Sequence, residues 1–146
     1  MTDHLAIARA YEKALFTDKM DEVGSYFTDD IVYWVAGLPP IGGEWHGREA
    51  VLAAFTNREV GLGPADWGYE SVERNWYVAD ECVFVEIHER SWLKSAPADV
   101  MDQRTCVVIK FRGNRIAEMR DYTDSATYEA FLVRHQQDLP KFAKKK

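Results

Sequence analysis

The sequence has little of what settles a function quickly. Its 146 residues include only two cysteines, Cys82 and Cys106. They stand far apart, with no CxxC and no histidine-rich partner motif, so they are expected to be reduced core thiols of a cytoplasmic protein. No run of about 18 apolar residues occurs, so no membrane-spanning helix is expected. The opening MTDHLAIARAYEK lacks the charged start and apolar run of a secretory leader. Positive charge is scarce. Lys and Arg number 18 against 24 Asp and Glu, for a net charge of −6. Nucleic acid, which needs a basic stripe, is therefore not an expected partner. Lys141 and Lys144 to Lys146 form the only basic cluster, and residues 140–146 are read as a flexible solubilising tail. GxSxG, a phosphate-binding P-loop and GxGxxG are all missing, which removes the common serine-hydrolase, nucleotide and dinucleotide readings. No histidine or carboxylate pair has metal-ligand spacing such as HxxxH, so neither a metal nor a cofactor is expected.

Aromatic side chains are plentiful. Five Trp, seven Tyr and seven Phe sit in a chain that is 47% hydrophobic. The length suits one domain, residues 1–146, burying roughly 68% of the surface its unfolded chain exposes. Aromatic walls suit a packed core or a cavity for an apolar ligand.

Thr2 or Asp3 can cap a first helix, with Leu5, Ala8, Tyr11 and Leu15 on one face. Asp18 can cap a short second helix, with Met20, Val23 and Phe27 inward. Thr28-Asp29-Asp30 then breaks the helix, and IVYWVAG reads as a strand. IGGEWHG reads as a glycine-rich link into a third helix, REAVLAAFTNREV, whose face carries Ala50, Val51, Ala54, Phe55 and Arg58. GLGPADWG reads as a loop. Four strand-like runs follow: ESVERNWYV, ECVFVEIHERSWL, MDQRTCVVIKF and RIAEMRDY. The last two are joined by a Gly-Asn hairpin turn. Asp124 or Ser125 caps a final helix ending near Pro140. Helices first and antiparallel strands after them imply an α+β fold.

VFVEIHERSW has two faces. Val83, Val85 and Ile87 form one, and Phe84, Glu86, His88, Arg90 and Trp92 the other. Either the aliphatic face lies in the core and the charges in water, or the polar face lines a cavity while the aliphatic face meets a partner chain. Alternation alone does not choose. His88 can serve as a general acid or base, since an ordinary imidazole titrates at about 6.5. His46 reads as structural. Asp121 is the stronger candidate, because it closes a strand and lies beside aromatic residues and Met119. Partial desolvation there would raise its pKa toward useful proton transfer. The plainer alternative is a surface ion pair with Arg120.

The order of helices, YFTDDIVYW, EWHGREAVLAAF and four strands ending RIAEMRDYTD resembles the NTF2-like superfamily. More narrowly it resembles the SnoaL-like and limonene-epoxide-hydrolase-like branch, from about residue 4 to residue 131. The resemblance implies a cone-shaped, strongly curved antiparallel sheet wrapped around N-terminal helices. It also implies a deep apolar pocket and a homodimer packed through the outer sheet, which would bury Val83, Val85 and Ile87 and turn Glu86, His88 and Arg90 into the pocket. The hydrolases of this branch hold a water with Tyr and Asn and work through an Asp–Arg–Asp group. Carried over, the Tyr falls on Tyr33, the Asn on Val35, the Arg on Arg90, one Asp on Trp92 and the last Asp on Asp121. The cyclases of the branch use an Asp at the position of Asp121 with a helper His, a pattern His88 can meet. The expected catalytic set is Asp121, Arg90, His88 and Tyr33. Trp34, Val35, Phe55, Trp76, Trp92, Glu86 and Met119 are expected around the substrate. The implied substrate is an apolar small molecule with one reactive oxygen. The implied reaction is an isomerisation, cyclisation, dehydration or epoxide hydration, and the alternative is a non-catalytic dimer that binds a ligand or protein.

Overall fold

Asp3 starts the first helix as its sequence suggests. Its Oδ1 accepts a hydrogen bond from the Ala6 amide at 3.0 Å, which satisfies one of the free amides of the first turn. The computed structural model of the chain describes residues 2–39, 41–55 and 66–136. In chain order its elements are α1 (His4–Phe16), α2 (Met20–Ser25), β1 (Phe27–Val35), β2 (Gly43–His46), α3 (Arg48–Phe55), β3 (Trp67–Ala79), β4 (Cys82–Leu93), β5 (Met101–Arg112), β6 (Arg115–Tyr122) and α4 (Ser125–Arg134). The strands form one curved, unclosed sheet in the order β2-β1-β6-β5-β4-β3. Every pairing is antiparallel except that of β1 with β6, which is parallel.

Several local readings change. Asp18 does not cap α2; it takes a left-handed turn with φ 58°, which a short polar side chain tolerates, and Lys19 occupies the cap position. Phe27 is fully buried, but as the first residue of β1. Asp29 and Asp30 continue that strand instead of breaking the chain. Arg48 of α3 lies 2.7 Å from Asp29 and Arg112 at the end of β5 lies 3.0 Å from Asp30, so both carboxylates have cationic partners. The glycine-rich link holds an edge strand, β2, whose Trp45 stands opposite Tyr33 and stacks on it with ring centroids 5.7 Å apart. Trp67 and Gly68 belong to β3 rather than to a loop. Gly68 is needed there, because a Cβ at this position would come within 2.1 Å of Trp92 Nε1. Arg58, Pro140 and the lysine tail lie outside the described residues.

The two faces of β4 are settled by burial. Val83, Val85 and Ile87 point inward and are almost solvent-free, while Glu86 and Arg90 are exposed on the outer face. The expectation that the polar face turns inward is therefore corrected. Inward side chains of β4, β5 and β6 share a core with the helices and with β1, and α1 brings Ala8, Tyr11 and Ala14 into it. Burying aliphatic side chains there stabilises the fold more than burying charged ones could.

Most of the buried apolar residues fall into two clusters. One joins α1, α3 and the turn-proximal halves of the strands through Phe27, Ile31, Val51, Val83, Ile109, Ile116 and Met119. The other lies under α4 and contains Leu93, Met101, Phe131 and Leu132, with Trp67 and Tyr128 packed against it. Among the described residues, no helix is long and apolar enough to cross a membrane.

This assignment of faces has a measurable consequence. Ile109→Ala, in the first cluster, is expected to lower stability by about 2–5 kcal/mol. Glu86→Ala, on the outer face, is expected to stay within about 0.5 kcal/mol. Urea denaturation of the two variants checks this; comparable losses would mean that the faces are reversed.

Candidate functional site

Between the two apolar clusters the inward face turns polar. On β4 the inward series Val83, Val85, Ile87 continues as Glu89 and Ser91 before Leu93 restores the apolar character. On β5, Gln103 and Thr105 separate Met101 from Val107. On β6, Asp121 follows Met119 on the same face, just before the chain turns into α4. Strand register aligns these stretches, with Glu89 opposite Gln103 and Asp121 opposite Val107. The result is a polar belt across three strands with an apolar cluster on each side.

Asp121 is its most perturbed member. The Tyr33 hydroxyl donates to Oδ2 at 3.1 Å. Oδ1 is closed off from solvent and accepts no hydrogen bond among the described residues. Burial first, helped by the nearby Glu89 carboxylate, pushes the carboxyl up to about 6 against the pull of the Tyr33 hydrogen bond. Tyr33 is fixed by its stack on Trp45 and by an edge contact with Phe55, whose ring centroid lies 5.1 Å away. Burial first, and the Asp121 charge second, hold the Tyr33 hydroxyl well above the ordinary phenol range, so it stays a donor.

Glu89 and Arg74 were not singled out from sequence. Glu89 is also raised by burial, opposed by a hydrogen bond with Tyr69 and by the Arg74 charge. Arg74 reaches across the interior to donate to Glu12 of α1 and to Tyr69. Glu12 is raised by burial even though Arg74 lowers it. A guanidinium and two partly buried carboxylates thus lie on the inner side of the sheet, and of these Glu89 is near enough to act on Asp121. The signal for Glu89 was in the sequence: it continues the Val83, Val85, Ile87 face by one further step of two. Arg74 is harder to place, because a bulge between Ser71 and Glu73 shifts the alternation of β3.

The other predicted residues are distributed over both faces. Val35 is inward and paired in register with Asp121. Phe55 touches Tyr33, Met119 is fully buried beneath Asp121, and Trp76 faces α1 with the Arg9 guanidinium 5.6 Å from its ring. His88 and Arg90 do not reach Asp121. They lie on the outer face, where His88 Nε2 is 2.8 Å and Arg90 Nε 3.2 Å from Asp102. Glu86 and Trp92 share that outer face, with Trp92 over Gly68. Trp34 is outside as well, 5.0 Å from the Tyr122 ring. The cause is that alternation sorts a strand's side chains into two sets without showing which set faces the helices. The surface pair of Asp121 with Arg120 does not form either, since Arg120 binds Glu118 at 2.6 Å. Two surface grooves, along α3 and at the start of α1, do not include Asp121.

The raised carboxyl has a thermodynamic sign. The folded chain holds the Asp121 proton more tightly than the unfolded chain, in which the group titrates at about 3.9. Its contribution to stability is fully present below that pH and is lost as pH rises through about 6. Asp121→Asn removes the buried charge while keeping an acceptor for Tyr33. It is expected to stabilise the protein at pH 7 by about 2–3 kcal/mol, a gain that shrinks toward zero by about pH 4. Urea unfolding of both proteins at the two pH values checks this; an equal difference at both would contradict it.

The same architecture recurs in known proteins. An NTF2-like protein from Burkholderia xenovorans LB400 superposes with a TM-score of 0.73 at 16% identity, covering 87% of this chain and 93% of its own. An LEH-like epoxide hydrolase from M. tuberculosis gives a TM-score of 0.65 at 20% identity, covering 90% of each chain. A provisionally named polyketide cyclase from Xanthomonas campestris pv. campestris gives 0.67 at 14% identity, covering 87% of this chain and 94% of its own. At such identities the likeness concerns the fold. No protein with a curated description matches the sequence. The profile of the SnoaL-like domain matches residues 7–119, ending two residues before Asp121. With that match spanning most of its length, the chain belongs to the SnoaL-like family of NTF2-like proteins.

Proposed function

We propose that the protein is an acid/base enzyme acting on an apolar small molecule that carries a reactive oxygen function, with Asp121 as the proton-transferring group. The observation that supports this most is the Asp121 carboxylate itself. One of its oxygens is held by Tyr33, the other is buried and unbonded, and burial brings its pKa up to about 6. A base with such a pKa takes up and returns a proton near neutral pH at little cost. Tyr33 positions it. The aromatic and aliphatic side chains around it, Val35, Phe55 and Met119, favour an apolar substrate. The chemistry is carried by side chains: proton removal beside a carbonyl, followed by isomerisation, aldol-type ring closure or loss of water.

Glu89 favours a second reading, hydration of an epoxide. Asp121 would take the proton of a water molecule as it attacks, and protonated Glu89 would deliver a proton to the opening epoxide oxygen. Two interior carboxylates with raised pKa values suit this division of labour. His88 and Arg90, paired with Asp102 outside, belong in this proposal to the outer sheet surface. That surface, with Trp34 and the exposed Tyr77 and Tyr122, is proposed as a homodimer contact. A sedimentation mass of a single chain would reject the dimer.

A panel of small epoxides and enolisable ketones tests the enzymatic reading. Turnover of any member is expected to fall by roughly 10²–10⁴-fold in Asp121→Asn, the usual worth of a positioned acid or base. In the wild type the rate is expected to rise with pH through about 6 as Asp121 ionises. Full activity in Asp121→Asn would show that the group does no chemistry and would leave a binding protein.

A further inference from the structure

A second polar atom is stranded in the interior. Trp67 Nε1 is buried and donates to no partner among the described residues. Leaving a buried N–H unsatisfied costs more than an average hydrogen bond contributes. Trp67 is held in this position from several sides. It begins β3 opposite Leu93, and its ring meets Phe131 at 5.7 Å and Tyr128 at 6.0 Å between centroids. It therefore sits on the boundary of the apolar cluster beneath α4 and faces inward, as Asp121 does from the opposite boundary.

A chain of neighbouring side chains runs between the two atoms. Asp121 is bonded to Tyr33. The Tyr128 hydroxyl is close enough to Tyr33 to help hold the Tyr33 hydroxyl above the ordinary phenol range. Tyr128 in turn packs edge-on against Trp67. Along this path the unpaired atoms are complementary in kind. Asp121 Oδ1 is an acceptor and Trp67 Nε1 a donor that never accepts.

We propose that Trp67 Nε1 is a substrate-anchoring donor, and that the substrate carries a second oxygen, a carbonyl, ether or hydroxyl, remote from the group that reacts at Asp121. This rests on the acid/base reading of Asp121 and narrows it from any apolar oxygen compound to one with two separated oxygen functions across an apolar body. Two polar ends also fix the direction of binding. A molecule with one oxygen can enter either way round, whereas one with two presents a single end to the carboxylate.

The test uses two probes, naphthalen-2-ol with one oxygen function and 6-acetyl-naphthalen-2-ol with two at opposite ends. Their dissociation constants are measured for the wild type, Trp67→Phe and Asp121→Asn. Trp67→Phe keeps an aromatic ring and loses only the donor and the outer ring of the indole. The wild type is expected to prefer the acetyl compound by roughly tenfold, the usual worth of one hydrogen bond at a buried site. Trp67→Phe is expected to lose that preference, and Asp121→Asn to retain it. The indole proton of Trp67, assigned by its disappearance in Trp67→Phe, is expected to shift further downfield with the acetyl compound than with naphthalen-2-ol. A preference that survives in Trp67→Phe overturns the proposal. So does an indole resonance that neither probe moves at millimolar concentration, the result expected if the N–H points at the Tyr128 ring. Loss of preference in Trp67→Phe together with full turnover in Asp121→Asn would uphold the anchor and reject the acid/base reading, so the two can fail separately.

Discussion

The hydrogen bond between Tyr33 and Asp121 joins the two strands that would otherwise have least reason to meet. β1 follows the first two helices, and β6 closes the hairpin series near the C-terminal end; they pair in parallel, and every other pairing in the sheet is antiparallel. That pairing sets Val35 beside Asp121 and brings the Tyr33 hydroxyl to the carboxylate. The remaining architecture supports the same point. Trp45 of the edge strand and Phe55 of α3 hold the Tyr33 ring, and Met119 fills the space beneath Asp121. A carboxylate kept from water with a single donor is unfavourable by itself. It persists because the apolar packing on both sides is strong enough to carry the cost, a pattern expected at functional positions rather than in a core.

Much of this was legible from residues alone. The last four strands are marked by alternation and by turn residues between them, and the structure keeps all four. Asp3 and Asp124 both cap helices, each accepting from an amide of the first turn. The places that misled have physical explanations. Asp29 and Asp30 look like helix breakers, yet they tolerate a strand because arginines from α3 and β5 reach them. Gly42 and Gly43 look like a link, yet the chain after them pairs with β1 because Trp45 gains the Tyr33 ring. Contacts between residues this distant in sequence leave no local trace.

The inner and outer faces of β4 show the same limit more sharply. Period-two alternation identifies two sets of side chains but not which set meets the helices. The aliphatic set lies inside, and with it comes Glu89, a carboxylate hidden in sequence among more conspicuous His and Arg neighbours. Tyr33 was reached through the family resemblance, and Asp121 through its place at a strand end beside aromatic residues and Met119. Trp67 was invisible because the glycine beside it reads as a turn, and only the close approach of Trp92 explains why a glycine is required within a strand.

Chemistry and fold are thus joined by one feature, a polar belt between two apolar clusters with Asp121 at its edge. Family membership alone does not decide among isomerase, cyclase, hydrolase and binding protein; the state of this carboxylate bears on all four. The most direct test is a titration of the Asp121 side-chain carbon by carbon-13 NMR, assigned by comparison with Asp121→Asn. A midpoint near 6 is the predicted result, and it would establish a proton carrier poised for neutral pH. A midpoint near 4, the ordinary range for a solvated aspartate, would contradict the account, because it would mean that water reaches Oδ1 and that the site is not closed.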